Sequence, residues 1–429
     1  MQSSLTPGKP MLTLQPTALL LGLGMAALYF TTYLGSMAAL MFLVACGALV
    51  IWRPQLILIE TRNAWLLWAV AGWCALSVFW SNAPGLTLRY AIQLGLTFAI
   101  AIAAASRLSV TATLRVVLVV TLIVGLASIG LGRVNGNGLW TGIFGSKNAL
   151  SQSATVMVIA AAAVLIDRRG RGGWVWLAAL NLTIGMILLN KAGSAGGTIA
   201  TMLAVLGMLS LWTMRRLTSW QRIFLGFLMV LGTIFVIMLV IGYFDAFAQV
   251  FLAATGKEIT LTGRTDLWRI AFSEIARHPF LGQGFQAFWV PGNALAESLW
   301  AEFGITTKTG FHFHHTLISN AVEIGLIGVM LQIVVFFSTL VIILRWALAA
   351  PCAESIFLAG FMMRQFILMN SEVVFFTQFD TVSMLMAMTA VFAIRARREA
   401  LVPAKRRAMT RAPVPGNRPA WQTSNQRVH

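Results

Sequence analysis

Acidic side chains are scarce in this sequence: 13 aspartates and glutamates stand against 31 lysines and arginines in 429 residues. Charged residues of both signs make up only 10% of the chain, whereas hydrophobic residues make up 58%. The mean hydropathy is +0.81. Such a chain has too few charges to cover the surface of a globular protein in water, so a soluble globular protein is excluded. The composition indicates an integral membrane protein.

Cysteine is equally rare. Cys46, Cys74 and Cys352 lie in or beside apolar segments and lack the spacing of a disulfide pair or a metal site. We interpret them as small packing residues. The N-terminal stretch MQSSLTPGKPMLTLQPT contains one lysine and no small-residue cleavage site. It is therefore predicted to be a short tail before a first spanning helix, not a cleaved signal.

Apolar runs of about 17 to 25 residues recur almost from end to end, and each is predicted to be a helix because the bilayer core offers backbone groups no water. The predicted spans are 17–32, 35–52, 64–80, 87–105, 113–132, 148–166, 174–190, 196–213, 223–244, 316–345, 354–371 and 379–395. The sequence thus predicts an all-α integral membrane protein with about twelve transmembrane helices. One long loop separates the ninth helix from the tenth.

The distribution of lysine and arginine predicts the orientation. With the N-terminus in the cytoplasm, most of the 31 basic residues fall in cytoplasmic segments, so both termini are predicted inside and the long loop outside. The predicted organisation is nine helices in 1–244, an outer catalytic loop in 245–315, three helices in 316–395 and a basic tail in 396–429. The tail is predicted to be disordered and held near anionic headgroups. Topology explains the net charge of +18, and no nucleic-acid partner is predicted.

Polar chemistry is concentrated between Thr262 and Gly328. Four of the five histidines lie there: His278, His312, His314 and His315. The cluster FHFHH at 311–315 directly precedes an apolar helix, and a histidine at a membrane boundary suits general-base catalysis near neutral pH. Two alternatives are that these rings cap the helix or lie at the interface, and that they bind a metal. No nearby cysteine or aspartate completes a ligand set, so no metal is predicted.

The helix after this cluster has a polar face. Thr316, Asn320 and Glu323 are spaced by four and three residues and share that face. A carboxylate inside a spanning helix is costly unless it is paired or functional. Glu323 is interpreted either as orienting a histidine or an acceptor hydroxyl, or as the ion-pair partner of Arg364. Gly325 and Gly328 are predicted to allow close helix packing.

Three further cations are candidates for binding an anion. Arg264, in GRTDLW, carries the planar fork that suits phosphate, although it is equally able to pair with Asp266 or Glu274 and order a surface helix. Lys147 follows the glycine turn GIFGS and precedes a helix, an arrangement that offers N–H groups and a cation to an anion. Arg364 lies inside a predicted span, where an arginine is a functional candidate.

Several motifs resemble one known family. HPFLGQGFQAFW at 278–289, AESLWAEFGI at 296–305 and GFHFHHTLISNAVEIGLIG at 310–328 are similar to the exopolysaccharide polymerases of the ExoQ type. These form a branch of the O-antigen ligase and polymerase superfamily. GRTDLW and GIFGSKNALSQ fit the same pattern, and the similarity runs from about Gly142 to Glu372.

The resemblance implies roles for individual residues. In the superfamily a histidine and a polar residue are followed by nine residues and GxxG, which places the histidine at His314 and puts His315 where asparagine is usual. His314 and His315 are the implied candidates for the catalytic base. Pyrophosphate binding is implied for Arg264, Arg364 and Lys147, and supporting roles for Glu323, Glu372 and Asn320. Ser146 stands where the family usually has a histidine.

The resemblance also implies an activity. The family polymerises oligosaccharide repeat units carried on undecaprenyl pyrophosphate, by inverting, metal-independent glycosyl transfer at the periplasmic face of the bacterial inner membrane. No cofactor is implied. The implied partners are the lipid-linked glycan, membrane lipid, a chain-length regulator and export proteins. Two alternatives remain open: transfer of a lipid-linked glycan to lipid A core or protein, as in an O-antigen ligase, and a non-catalytic transporter of lipid-linked glycans.

Overall fold

The computed structural model describes residues 15–51, 54–169, 171–218, 220–222, 224, 231, 264–308 and 310–401. The first helices are α1 (Pro16–Tyr29), α2 (Thr31–Leu34), α3 (Ser36–Ile51), α4 (Pro54–Asn63), α5 (Trp65–Leu76), α6 (Pro84–Arg107) and α7 (Val110–Gly130), with a 3-10 turn at Ser77–Phe79. An antiparallel ribbon of β1 (Arg133–Val134) and β2 (Trp140–Gly142) leads to α8 (Lys147–Ile166), α9 (Trp174–Ala192) and α10 (Ala195–Met214). The remaining helices are α11 (Arg264–Arg277), α12 (Ala294–Glu302), α13 (Thr316–Ala349), α14 (Ala353–Leu368) and α15 (Thr381–Leu401).

The long apolar helices make this chain an integral membrane protein. Within the described ranges, six helices are long and apolar enough to cross a membrane: α6, α7, α8, α9, α10 and α13. Shorter apolar helices run from Pro16 to Tyr29, from Ser36 to Ile51 and from Trp65 to Phe79. All of these coincide with predicted spans. The predicted span 223–244 lies outside the described residues, and the total of twelve stays a prediction.

Three described helices have no counterpart among the predicted spans. α4 is amphipathic and carries Glu60 and Arg62, so the search for apolar runs missed it. α11 and α12 lie inside the segment that was interpreted as one long loop. A helix there was predicted only under the alternative in which Arg264 pairs with Asp266 or Glu274 and orders a surface helix. The part of this segment that the structure describes therefore has helices and an apolar core of its own.

The bundle is organised around α8, the most deeply buried of the six long helices. It packs against α7, α9, α10 and α14. A run of small residues, Ala160 to Ala163, lets these neighbours approach closely, since each alanine fills little space between helix axes. The first turn of α8 lies at the end of the bundle where α13 begins. Asn148 in α8 and Thr316 in α13 both donate hydrogen bonds to Glu372. α8 thus connects the buried core with the polar end of the bundle.

α13 is interrupted at Gly325, where φ is 65° and ψ is 180°. Carbonyl groups that lose their helical partners there accept hydrogen bonds from elsewhere: Val322 from the N–H of Gln283 at 3.0 Å and Glu323 from the N–H of Gly284 at 2.8 Å. The indole of Trp73 donates to the Ile324 carbonyl at 2.9 Å. Few carbonyl groups at the break therefore lack a hydrogen bond, because donors from the loop HPFLGQG and from Trp73 replace the helical N–H groups.

The break at Gly325 requires glycine for two reasons. Its positive φ is a conformation that side-chain-bearing residues rarely adopt, and a Cβ at this position would collide with the carbonyl of Phe280. The sequence predicted close helix packing at Gly325. The structure instead shows a close approach of loop backbone to broken helix. This contact fixes the loop at 279–284 on the spanning helix.

Candidate active site

The histidine cluster is held in place by aromatic packing against the loop that follows α11 and by a hydrogen bond from α11. Phe313 is buried between Phe288 and Trp289, whose ring centroids each lie 5.0 Å from its own. The indole of Trp268, on α11, donates to the Phe313 carbonyl at 2.8 Å. Phe313 is buried in this packing, whereas His312 and His314 are partly exposed and their rings contact each other. The sequence FHFHH thus separates packing residues from reactive ones.

His312 and His314 face each other, with ring centroids 4.4 Å apart. The backbone N–H of His314 donates to Nδ1 of His312 at 3.0 Å. Since Nδ1 of His312 is an acceptor, the proton of the neutral ring lies on Nε2, which is 3.6 Å from Oε2 of Glu372. His314 has a positive φ of 52°, an uncommon conformation for a residue with a side chain.

His314 and His315 have different hydrogen bonds. Nδ1 of His315 accepts from the N–H of Ile318 at 3.3 Å and so caps α13, while the ring packs edge-on against Trp268. Nδ1 of His314 is buried, has no hydrogen-bond partner among the described residues, and lies 3.9 Å from Oε2 of Glu372. The capping alternative therefore applies to His315, whereas His314 has an unused nitrogen.

Glu372 reaches this cluster because Thr316 holds its backbone. The Thr316 hydroxyl donates to the Glu372 carbonyl at 2.7 Å, and the Thr316 N–H donates to the Met369 carbonyl at 2.8 Å. The amide of Asn148, in the first turn of α8, donates to Oε1 of Glu372 at 2.8 Å. One carboxylate oxygen is thus fixed by Asn148, and the other faces the two histidines.

Burial and the charge of Arg264 control the protonation of the cluster. Burial, with the charges of His314 and Arg264, lowers the pKa of His312 to about 3. Burial and Arg264 lower the pKa of His314 to about 4. Burial raises the pKa of Glu372 to about 7, although Arg264 opposes this shift. At neutral pH both imidazoles are therefore uncharged, so His314 has one ring nitrogen that is able to accept a proton.

Arg264 stands at the start of α11 and acts on the cluster through its charge. The alternative prediction was that Arg264 pairs with Asp266 or Glu274, but these carboxylates pair with other arginines. Asp266 pairs with Arg269 at 2.9 Å, and Glu274 pairs with Arg277 at 2.6 Å. Arg264 thus provides positive charge beside His312, His314 and Glu372, as a site for a phosphate requires.

His312, His314 and Glu372 also have the donor types of a metal site, and one ligand atom from each lies within 4.8 Å of the others. The hydrogen bonds of this cluster do not suit a metal. Nε2 of His312 carries the ring proton because Nδ1 accepts from the backbone, so it has no lone pair for a metal. The nearby charge of Arg264 also disfavours a second cation.

The other predicted site residues lie outside this cluster. Arg364 is fully buried on α14, where Nε donates to the Thr155 hydroxyl at 2.7 Å and Nη2 to the Gln152 carbonyl at 3.0 Å. Lys147 is the first residue of α8 and precedes Asn148, so it lies at the same end of the bundle as Glu372.

Two predicted supporting residues on α13 have partners of their own. Glu323 accepts from the N–H of Gln286 at 3.0 Å and does not pair with Arg364. Asn320 donates to Gln332 at 2.7 Å, across the helix break. Both hydrogen bonds hold the backbone around the break at Gly325, and in the described part of the chain neither is made to His314.

Sequence reasoning missed two members of the cluster. His312 was noticed as a histidine but given no role, because the family spacing pointed to His314. Asn148 was noticed only as part of a glycine turn. The position of His312 in the FHFHH cluster, two residues before His314, was a usable signal for it. No local signal linked Asn148 to Glu372, which is 224 residues away.

Comparison with known proteins gives two matches. The sequence profile described as O-Antigen ligase matches residues 178–333. The exopolysaccharide production protein ExoQ of Rhizobium meliloti (strain 1021) is 33% identical over 297 residues, which cover 66% of this chain and 67% of that protein.

The fold and the site together define a helical membrane protein with a histidine, carboxylate and arginine cluster at one end of its bundle. The chain belongs to the O-antigen ligase family, in the branch of the ExoQ-type exopolysaccharide production proteins. Membership indicates an enzyme of the glycosyltransferase or ligase type with a role in polysaccharide production. The resemblance drawn from the sequence motifs is confirmed.

Proposed function

We propose that this protein polymerises undecaprenyl-pyrophosphate-linked oligosaccharide repeat units into exopolysaccharide. The observation that carries the proposal is the unpartnered Nδ1 of His314 beside Glu372, within the field of Arg264. A base, a carboxylate and a fixed cation are the parts that transfer of a glycan from a pyrophosphate needs.

Arg264 and Lys147 are proposed to bind the donor pyrophosphate. Negative charge develops on the leaving group as the glycosidic bond breaks, and fixed cations stabilise that charge. The leaving pyrophosphate is itself stable as an anion, so it needs no proton from a general acid. Arg364 keeps its proposed role in pyrophosphate binding, although its fork is engaged by α8 in the structure.

His314 is proposed to remove the proton from the acceptor hydroxyl as that hydroxyl attacks the anomeric carbon. Burial and the charge of Arg264 lower the pKa of His314 to about 4, which makes it a weak base. Bound pyrophosphate neutralises Arg264 and raises the pKa of His314 toward the range in which a histidine is an effective base. Glu372 then stabilises the imidazolium. Donor binding thus activates the base.

The proposed transfer is a single displacement, so it inverts the anomeric centre and forms no covalent glycosyl intermediate. It is also proposed to be independent of metal, in keeping with the protonated Nε2 of His312. The positive charge that a metal would supply to pyrophosphate comes here from arginine and lysine.

The proposed setting is the bacterial inner membrane, with about twelve spans, both termini in the cytoplasm and the histidine cluster at the periplasmic face. The charge distribution over the short connections supports this orientation. The proposed partners are the lipid-linked glycan, surrounding membrane lipid, and chain-length and export proteins.

The decisive experiment supplies the purified, reconstituted protein with an undecaprenyl-pyrophosphate repeat unit and follows the size of the product. A ladder of longer lipid-linked glycans, unchanged by a chelator, is the expected result. Loss of the ladder in chelator would contradict the metal-free mechanism. No ladder, with transfer to an added lipid A core or protein acceptor, would establish the ligase that the profile match to residues 178–333 makes the second candidate. No transfer to any acceptor would favour a transporter.

A further inference from the structure

A cleft opens at the opposite end of the bundle from the histidine cluster. It lies between α4, α5, α13 and α15 and has a volume of about 470 Å³. Ser338, on its α13 wall, lies 13 residues beyond the break at Gly325, or roughly 20 Å of helix at 1.5 Å per residue, whereas the histidine cluster precedes the break. The cleft is therefore separate from the proposed active site, and its volume is typical of sites for small molecules, which measure about 300–1,000 Å³.

The rim of this cleft is positively charged. Arg62 comes from the last turn of α4, and Arg397 and Arg398 come from the end of α15. Within the described ranges none of these three arginines forms an ion pair with a carboxylate. The carboxylate of Glu60, one turn away on α4, is already paired with Arg395 at 2.8 Å. Three cations from two helices thus meet without a protein anion.

The interior of the cleft is apolar. Its walls include Leu66, Val335, Ile342, Ala393 and Ile394, with Ser338 and Thr339 as small polar members. The lining residues of α13 run from Val335 to Ile342, about 10 Å of helix at 1.5 Å per residue. A ligand that binds both the basic rim and the apolar wall needs an anionic group and an apolar chain.

We propose that this cleft binds one anionic phospholipid, with its phosphate on Arg62, Arg397 and Arg398 and an acyl chain along the apolar wall. Arginine forks match phosphate oxygens, and basic pockets between spanning helices suit anionic headgroups. A free phosphate would bind only the arginines at the rim and make no contact with the apolar wall. The chain's own tail, 402–429, contains only basic charged side chains and is repelled by the rim.

Native mass spectrometry of the full-length protein tests the proposal, with phosphatidylglycerol or phosphatidylcholine added to the detergent solution. Wild type is expected to retain one phosphatidylglycerol with an affinity at least about tenfold above that for phosphatidylcholine, since arginines near a headgroup attract its net negative charge. The variant Arg62→Gln/Arg397→Gln/Arg398→Gln is expected to lose this preference. The matched control Arg168→Gln/Arg215→Gln/Arg216→Gln removes the same charge from other helix ends and should keep it.

A second variant separates loss of the site from loss of the fold. Ser338 is exposed in the cleft, so Ser338→Trp fills the cleft and leaves all three arginines in place. It should release the lipid without a change in the thermal unfolding midpoint. Retention of the lipid by the triple variant, equal binding of both lipids by wild type, or displacement of the lipid by inorganic phosphate at equal concentration would each overturn the proposal.

Discussion

The imidazoles of His314 and His315 are adjacent in the sequence, but their nitrogens meet different groups. Nδ1 of His315 accepts the N–H of Ile318 and caps α13. Nδ1 of His314 has no hydrogen-bond partner in the described part of the chain and faces Glu372. Asparagine, which the family resemblance makes usual at position 315, is a good helix cap for the same reason: its side chain presents an acceptor to the first turn. A capping role at position 315 therefore explains why either residue is tolerated.

Replacing His315 tests this division of roles. His315→Asn is expected to keep both stability and polymer formation, because asparagine supplies the same acceptor. His315→Ala is expected to lower the free energy of unfolding by about 1 kcal/mol and to retain activity. Thermal unfolding in detergent and the polymerisation assay measure the two effects. Loss of polymer in a stable His315→Asn protein would make His315 the base.

The charge of Arg264 should be visible in the pH dependence of the rate. Arg264 lowers the pKa of His314, so removing its charge raises that pKa. Because only unprotonated His314 accepts a proton, the acid limb of the pH–rate profile at limiting donor should move to higher pH in Arg264→Gln. Arg269→Gln, which removes an exposed arginine paired with Asp266, is the control and should leave the profile unchanged. An unshifted acid limb in Arg264→Gln would exclude the coupling.

At the scale of the elements, α13 was predicted from its apolar run, but its break was not. The GxxG spacing indicates that two glycines matter, and it does not reveal that Gly325 has a positive φ or that the loop at 279–284 supplies the missing hydrogen bonds. Those contacts join segments about 40 residues apart in sequence, beyond the reach of local patterns. The same limit hid the bond from Asn148 to Glu372.

Gly325→Ala is predicted to destabilise the protein severely. The added Cβ meets the Phe280 carbonyl, and the positive φ is unfavourable for alanine. A large fall in the thermal unfolding midpoint or failure to accumulate in the membrane is expected. Gly72→Ala is the control, because a Cβ there meets nothing within 4 Å and alanine favours a helix. Equal behaviour of the two variants would show that the break does not depend on glycine.

Arg364 joins α14 to α8 through its guanidinium, and this contact predicts a structural effect of substitution. Arg364→Lys keeps the charge but cannot bond both the Thr155 hydroxyl and the Gln152 carbonyl in the same geometry. A lower thermal unfolding midpoint is therefore expected. An unchanged midpoint together with a raised KM for the lipid-linked donor would instead establish a direct role in pyrophosphate binding.

For the whole molecule, the sequence was sufficient for the class of fold and for the family. Apolar runs identify spanning helices because the bilayer permits few other structures, and the described helices agree with those runs. The helix α4 was not predicted, because it is amphipathic and has no long apolar run. The functional roles assigned to residues stay predictions, but three residues named from family motifs, His314, Arg264 and Glu372, lie together in the structure. The roles of His312 and His315 depend on hydrogen bonds that no spacing encodes.

The central claim is that a base at position 314 builds polymer from a lipid-linked glycan. The measurement that tests it most directly compares wild type with His314→Ala in the reconstituted assay, after both proteins are shown to be folded and inserted. Loss of a general base costs about 10²–10⁴ in rate, so the ladder of longer glycans should disappear in the variant. An undiminished ladder from His314→Ala would contradict the account.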